Sequence, residues 1–238
     1  MPTSIVPGQL YLIPTFIDEE ALHTLPTYIT ENIKNCSVFI VENAKTARRF
    51  VKKVWKEMVI DDYEWLVMDD ADPTITKKML AALQSGKQVA IISEAGCPGV
   101  ADPGQSLVRI AQQNKYKVVP LVGPNSILLA LMASGMNGQH FTFHGYLPID
   151  SAARKKKIKE IETSSLKENS TQIFIETPYR NQAMLAELLQ TCRNQTLLCI
   201  AVDITGSSEQ IITQPIGEWK KSAANYHKRP AIFLLLAQ

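Results

Sequence analysis

At 238 residues, 45% hydrophobic and 20% charged, the chain has the make-up of a soluble globular protein with two small domains or one large one. A net charge of +2 excludes a protein that coats nucleic acid by massed phosphate neutralisation, though it leaves room for a local basic patch. Four cysteines (Cys36, Cys97, Cys192, Cys199) with no C-x-x-C pair and four histidines with no H-E-x-x-H pair exclude the common zinc signatures, so no metal is expected.

Residues 1–8 carry no basic segment and no long apolar core, so no signal peptide is expected. Residues 9–13 read as a first strand and 22–32 as a helix. A second strand at 38–41 is followed by a helix at 44–54. A helix at 75–84 stops at Gly86, the residue type that accepts the left-handed turn at a helix end. Then come a strand at 89–92, a helix at 105–113 and a strand at 118–121. Short, uniformly apolar strands alternating with helices predict a mainly parallel sheet covered on both faces.

The pattern changes past Gly123-Pro124. A helix at 127–133 leads to a strand at 141–146 and a charged helix at 152–162. Residues 162–170 are polar and Ser-rich, which reads as an exposed loop. A strand at 173–176, a helix at 181–190 and strands at 197–202, 210–214 and 232–236 complete the chain and point to a mixed sheet. The expected fold class is α/β, with an N-terminal domain over 1–122 and a C-terminal domain over 123–238. The longest apolar runs, 127–133 and 231–237, are too short to cross a bilayer, so a cytoplasmic protein away from membranes is expected.

In parallel α/β sheets, ligands sit on the loops leaving the carboxyl ends of the strands. The loop after 89–92 is Ser93-Glu94-Ala95-Gly96-Cys97-Pro98-Gly99-Val100-Ala101-Asp102-Pro103-Gly104, with three glycines and two prolines in nine residues. Glycine lets backbone approach a ligand, and proline fixes the path. A second loop, Val122-Gly123-Pro124-Asn125-Ser126, runs straight into a helix. Asn125 or Ser126 is suited to cap that helix, and free N–H groups there suit a ligand. Neither loop has the G-x-G-x-x-G or G-x-x-x-x-G-K-[ST] spacing of a phosphate cradle. Two basic clusters stand out: Lys45, Arg48, Arg49, Lys52 and Lys53, and Arg154, Lys155, Lys156 and Lys157 with Lys159. A charge run of this kind is either a solvated helix face or a phosphate-binding surface.

These loops resemble the tetrapyrrole methylase superfamily, and within it the branch of ribosomal RNA small-subunit methyltransferase I, which methylates a ribose 2′-hydroxyl. The Ser93-to-Gly104 loop matches the pattern S-D-A-G-T-P-x-x-S-D-P-G. The turn at Gly123-Pro124 and Ala130-Leu131-Met132-Ala133-Ser134-Gly135-Met136 match P-G-P-S-A and A-L-x-x-S-G-L. Phe141-Thr142-Phe143-His144-Gly145-Tyr146-Leu147-Pro148 and Glu176-Thr177-Pro178-Tyr179-Arg180 match two further motifs in family order, F-x-F-x-G-F-L-P and E-S-P-H-R. The resemblance implies a homodimer and an S-adenosylmethionine site in the cleft between two domains. Residue by residue, it implies that the cofactor touches Pro14, Gly96, Cys97, Val100, Asn125, Ser126, Ile175, Ala201, Pro230 and Ala231.

Departures from the branch pattern fall where substrate is expected. Ile13-Pro14-Thr15-Phe16-Ile17 lacks a Gly-Asn pair, Val41-Glu42-Asn43-Ala44-Lys45 replaces A-E-D-T-R with Arg48 a turn later, and Asp203-Ile204-Thr205-Gly206 lacks a lysine. By loop position Glu42, Glu94 and Asp102 are candidates for substrate contact and for taking a proton from a hydroxyl acceptor. Arg48, Lys155, Lys156 and Lys157 are candidates for contact with small ribosomal subunit RNA. The sequence leaves three readings open: an RNA ribose methyltransferase, a methyltransferase for a tetrapyrrole or other small molecule, and a cofactor-binding relative without catalysis.

Overall fold

The computed structural model describes residues 6–69 and 72–238, so Met1–Ile5, where the reading of no signal peptide begins, lie outside the described residues. The chain divides into two compact units, Met1–Pro124 and Asn125–Gln238.

The first unit holds a five-stranded parallel sheet of β1 (Leu10–Ile13), β2 (Val38–Val41), β3 (Glu64–Val67), β4 (Val89–Ile92) and β5 (Val118–Pro120), in the order β3-β2-β4-β1-β5. Side chains alternate across it as a two-residue period requires. Phe39, Val41, Ala90 and Ile92 pack with Ile29 and Ile33 of α1 (Tyr28–Asn35) and Phe50 and Val51 of α2 (Ala44–Val54). Val38, Ile40, Val89 and Ile91 pack with Met79 and Leu83 of α3 (Pro73–Gln84) and Leu107 and Ala111 of α4 (Gln105–Gln113). Both faces are thus covered, which explains strands without polar positions.

Three features of this unit differ from the expectation. The helix expected at 22–32 is a 3-10 turn at Leu22–Thr24 followed by α1, because Pro26 pushes Leu25 into an extended conformation (φ −92°, ψ 128°). β3 was not foreseen. It is an edge strand in which Leu66 alone is buried, and its short apolar run, Trp65-Leu66-Val67-Met68, is flanked by acidic residues on both sides. α3 starts earlier than expected, with the Asp72 carboxylate capping Thr74 N at 2.8 Å and Pro73 in the first turn. At its end Gly86 (φ +84°) closes a Schellman turn, with Gly86 N donating to Leu83 O and Lys87 N to Ala82 O.

The second unit holds a mixed sheet in the order β6-β7-β10-β8-β9, of β6 (Phe141–Tyr146), β7 (Thr171–Ile175), β8 (Leu197–Val202), β9 (Gln210–Pro215) and β10 (Ala231–Leu236). β6 and β7 are parallel; the other pairs are antiparallel. Phe174 and Phe233 stack at 5.7 Å beneath α6 (Ser151–Glu168) and α7 (Asn181–Thr191), whose Ile158, Ile161, Met184 and Leu188 are buried. α5 (Ser126–Ser134) packs on β8, β9 and β10, and α8 (Ile216–Trp219) contributes the buried Trp219. Each unit is α/β, one with a parallel and one with a mixed sheet, as expected.

The loop expected at 162–170 is instead mostly helix. Three of its polar residues, Glu162, Ser165 and Ser170, are buried and hydrogen-bonded. Glu162 accepts from Thr196 Oγ1 (2.5 Å) and Arg193 N (2.9 Å), and Ser165 Oγ donates to Ser170 O and accepts from Ala237 N. α6 stops only at Asn169, in the left-handed region at φ +48°.

Candidate functional site

The carboxyl ends of β1, β4 and β5 meet in the first unit. Thr15, just past β1, donates its N–H to Gly96 O at 2.9 Å, and Ser93 Oγ donates to the same oxygen at 2.6 Å. That carbonyl therefore ties the β4 loop to the β1 loop. Gly96, Gly99 and Gly104 sit at φ +74°, +77° and +100°, so the glycines of this loop are required by its path. Gly123 comes so close to Pro14 that an added Cβ would lie 2.2 Å from the Pro14 Cβ. Cys97 Sγ lies 3.5 Å from Pro124 O.

The structure thus gathers Pro14, Gly96 and Cys97 in one place, with the exposed Val100 further along the same loop. Sequence reasoning missed Thr15. It is 2% exposed, and its Oγ1 has no hydrogen-bond partner among the described residues. A buried hydroxyl left unpaired beside a glycine-lined loop suits a ligand that brings its own polar atoms. The residues present therefore fit a cofactor held by backbone and a few hydroxyls.

In the second unit, Asn125 caps α5, its Oδ1 accepting from Ile127 N (3.0 Å) and Leu128 N (3.2 Å), and Ser126 is the first helical residue. At one end of the mixed sheet, Ile175 and Ala201 both pair with Ile232. Ala231 pairs with Val202, and Pro230 O accepts from Asp203 N at 3.0 Å. Ile175, Ala201, Pro230 and Ala231 are therefore neighbours.

Among the acidic candidates, Glu42 follows β2 and Asp102 closes the β4 loop. Their carboxyls lie within hydrogen-bonding reach of each other, and Glu42 Oε1 and Asp102 Oδ2 find no other partner among the described residues. Burial pushes the Asp102 carboxyl up to about 7, helped by the Glu42 carboxyl beside it and by the charge of Glu94. Glu94 Oε1 itself accepts from Thr46 Oγ1 at 2.5 Å.

Between the ordinary aspartate value and about 7, the folded chain keeps a proton that the unfolded chain has released. Stability should therefore fall as pH rises through that window and level off above it. Asp102→Asn is expected to flatten this slope, read as Tm from about pH 4.5 to about pH 8. An unchanged slope in the variant would refute the assignment.

The basic candidates separate. Arg48 is exposed on α2 with its guanidinium 5.3 Å over the Trp65 ring. Arg154, read from sequence as part of a surface patch, is buried: its Nε and Nη2 clasp the Glu187 carboxylate at 2.6 and 2.8 Å, and Nη1 donates to Pro148 O and Ile149 O. A helix turns each residue by about 100°, so adjacent basic residues cannot share one face. Lys156 points to solvent, while Lys155 and Lys157 are half-buried. The outward stripe continues through Lys159 and Lys167.

Among the described residues no group of three or more His, Cys, Asp or Glu is placed to hold a metal ion, and no helix is long and apolar enough to cross a membrane.

Residues 23–220 match the family model for Tetrapyrrole (Corrin/Porphyrin) Methylases. The chain is 28% identical over 240 residues to a ribosomal RNA small subunit methyltransferase I of Escherichia coli O157:H7, covering 96% of this chain and 77% of that one. The protein of the same name from Vibrio cholerae is 30% identical over 229 residues, with coverage of 95% and 76%. The crystal structure of the methyltransferase CobJ superposes with a TM-score of 0.63 over 97% of this chain and 94% of that one, at 14% identity, a likeness of fold. With a family model matched over most of its length and glycine-built loops on its strand ends, the chain belongs to the tetrapyrrole methylase family of S-adenosylmethionine-dependent methyltransferases.

Proposed function

We propose that the chain methylates a ribose 2′-hydroxyl of small-subunit ribosomal RNA, in the cytoplasm and as a homodimer. One observation carries the RNA reading: the likeness to relatives named ribosomal RNA small subunit methyltransferase I runs along 95–96% of this chain. In this reading S-adenosylmethionine is held by Pro14, Gly96, Cys97 and Val100, together with Asn125, Ser126, Ile175, Ala201, Pro230 and Ala231. Thr15 Oγ1 joins this set, because it is buried and unpaired. The cofactor supplies an activated methyl group on a sulfonium. The protein's task is to position the acceptor and keep water out, which alone is worth ~7–11 kcal/mol of barrier in favourable cases.

A ribose hydroxyl must also lose its proton. Asp102, with a value of about 7, is matched to accept one near neutral pH, and Glu42 stands beside it. Glu94, through Thr46, steadies the same group of loops. Arg48, Lys155, Lys156 and Lys157 are assigned to RNA phosphates, which position the substrate without specifying it. The dimer is supported by exposed apolar side chains on α5, Leu128 and Met132.

The expected result in calorimetry is one S-adenosylmethionine site per chain. The expected result with labelled cofactor is methyl transfer to small ribosomal subunits or their deproteinised RNA, and none to a porphyrinoid panel. Absence of binding at millimolar ligand would refute the cofactor assignment. Transfer to a porphyrinoid and to no RNA would refute the substrate assignment.

A further inference from the structure

At the sheet end that carries Ile175, Ala201 and Ala231, two tyrosines lie open: Tyr146, which pairs with Ile175, and the more exposed Tyr179. Tyr179, in the loop between β7 and α7, is 71% exposed, and its ring meets the exposed His227 edge-on at 6.3 Å. The two rings stand on segments that are bonded together repeatedly. Lys228 N donates to Pro178 O at 2.9 Å, and Asn181 Nδ2 to Arg229 O at 2.5 Å. Gln182 Nε2 donates to Ala224 O at 3.3 Å, and Tyr226 N to Gln182 Oε1 at 3.1 Å. At the start of the loop, the buried Glu176 Oε1 accepts from Thr177 N, Arg180 Nε and Arg180 Nη2 at 2.6, 2.9 and 2.5 Å. The tyrosine is therefore exposed on a braced loop.

The surroundings carry strain. Of the six non-glycine residues at positive φ among the described residues, three lie here: Asp203 at +49°, Thr205 at +70° and Lys228 at +64°. For a β-branched threonine that conformation is an outlier, and such outliers persist where the surroundings enforce them. Lys228 follows His227 and has no ion-pair partner among the described residues, whereas Arg180, which follows Tyr179, is held by the Glu176 carboxylate. A fixed, exposed aromatic face beside a cation is how proteins hold an unstacked base while a phosphate is neutralised next to it.

We propose that Tyr179, backed by His227, is the stacking platform for a nucleobase of the RNA acceptor, with Lys228 meeting the adjoining phosphate. This inference rests on the RNA reading above and adds the part of the chain that seats a base beside the methylated ribose. The bracing means that little ordering remains to be done when the base arrives.

The test is methyl transfer and filter binding with small-subunit RNA, alongside calorimetry with S-adenosylmethionine and a melting curve for each variant. Tyr179→Ala is expected to weaken RNA binding and raise KM by about five- to 150-fold, the range measured for losing one base stack. Cofactor affinity and Tm should stay at the parent's values. Tyr179→Phe and Tyr179→Trp should restore RNA binding, and Tyr179→Leu should not. Tyr179→Trp should also show fluorescence quenching on RNA addition beyond that of the parent, whose three tryptophans set the background. Parent-like RNA methylation by Tyr179→Ala would overturn the platform and leave the RNA reading standing. So would a loss that Phe and Trp do not repair, since it would assign the effect to the hydroxyl. A parent that methylates only small acceptors would overturn the RNA reading and the platform with it.

Discussion

Gly123→Ala should lower the melting temperature and weaken S-adenosylmethionine binding together. The added methyl would lie 2.2 Å from Pro14 Cβ and 2.3 Å from Pro14 Cγ, far inside contact distance. A proline ring cannot rotate away, so one of the two loops must move. Overpacking of this kind costs ~1–3 kcal/mol, sometimes more. The movement would not stay local. Pro14 precedes Thr15, whose N–H holds Gly96 O, and Cys97 Sγ rests against the carbonyls of Gly123 and Pro124. A shift that opens this junction should cost cofactor affinity at least about tenfold, equivalent to ~1.4 kcal/mol. Gly138→Ala is the control, since a Cβ there meets nothing within 4 Å. Scanning fluorimetry and calorimetry decide the matter. A Gly123→Ala protein with the parent's Tm and affinity would show that the approach of Gly123 to Pro14 is unimportant.

The second large effect concerns Arg154 and Glu187, whose side chains are 8% and 12% exposed. Removing one partner of a buried pair leaves an uncompensated charge and typically costs ~3–5 kcal/mol, while replacing both by apolar groups is often neutral. Arg154→Met and Glu187→Leu should each destabilise strongly in chemical denaturation, and the double variant should recover most of the loss. The Arg154 hydrogen bonds hold the Glu187 carboxyl below the usual carboxylate range, with help from Ser151. In the parent, the pair's contribution is complete above the unfolded glutamate value of about 4.3 and fades as pH falls through the lowered native value. In Arg154→Met the unpaired Glu187 escapes its penalty by taking a proton. The gap between variant and parent should therefore narrow in acid. Equal stability losses in the single and double variants would contradict the account.

The sequence was most informative where a local rule decides the structure. Asn125 capping α5 needs only a side chain placed before a helix, and Gly86 ending α3 needs only a residue tolerant of positive φ. The Ser93-to-Gly104 loop announced itself by glycines that prove to sit at positive φ. Failures came where a distant partner decides. Glu162 and Ser165 look like loop residues until Thr196 and Ala237 are seen to bind them. Arg154 reads as one more surface cation until Glu187, 33 residues later, is seen across from it. β3 carries a short apolar run, Trp65 to Met68, but acidic residues enclose it and only its pairing with β2 identifies it as a strand. Thr15 carries no motif at all. What marks it is an unpaired buried oxygen, and only coordinates reveal that.

The strand order of the second unit has a consequence for how the protein is made. β7 and β8 are not paired with each other; β10 lies between them and bonds to both. In the first unit all five strands lie within the first 120 residues, so that sheet can form while synthesis continues. The second sheet cannot. Until residues 231–236 emerge, its two halves, β6 with β7 and β8 with β9, each present an open edge to whatever is nearby. For the time needed to translate from β8 to β10, a few seconds at ~5–20 residues per second, the nascent chain depends on chaperones or on speed to keep those edges apart from other chains. Slow codons between residues 203 and 230 would lengthen that exposure.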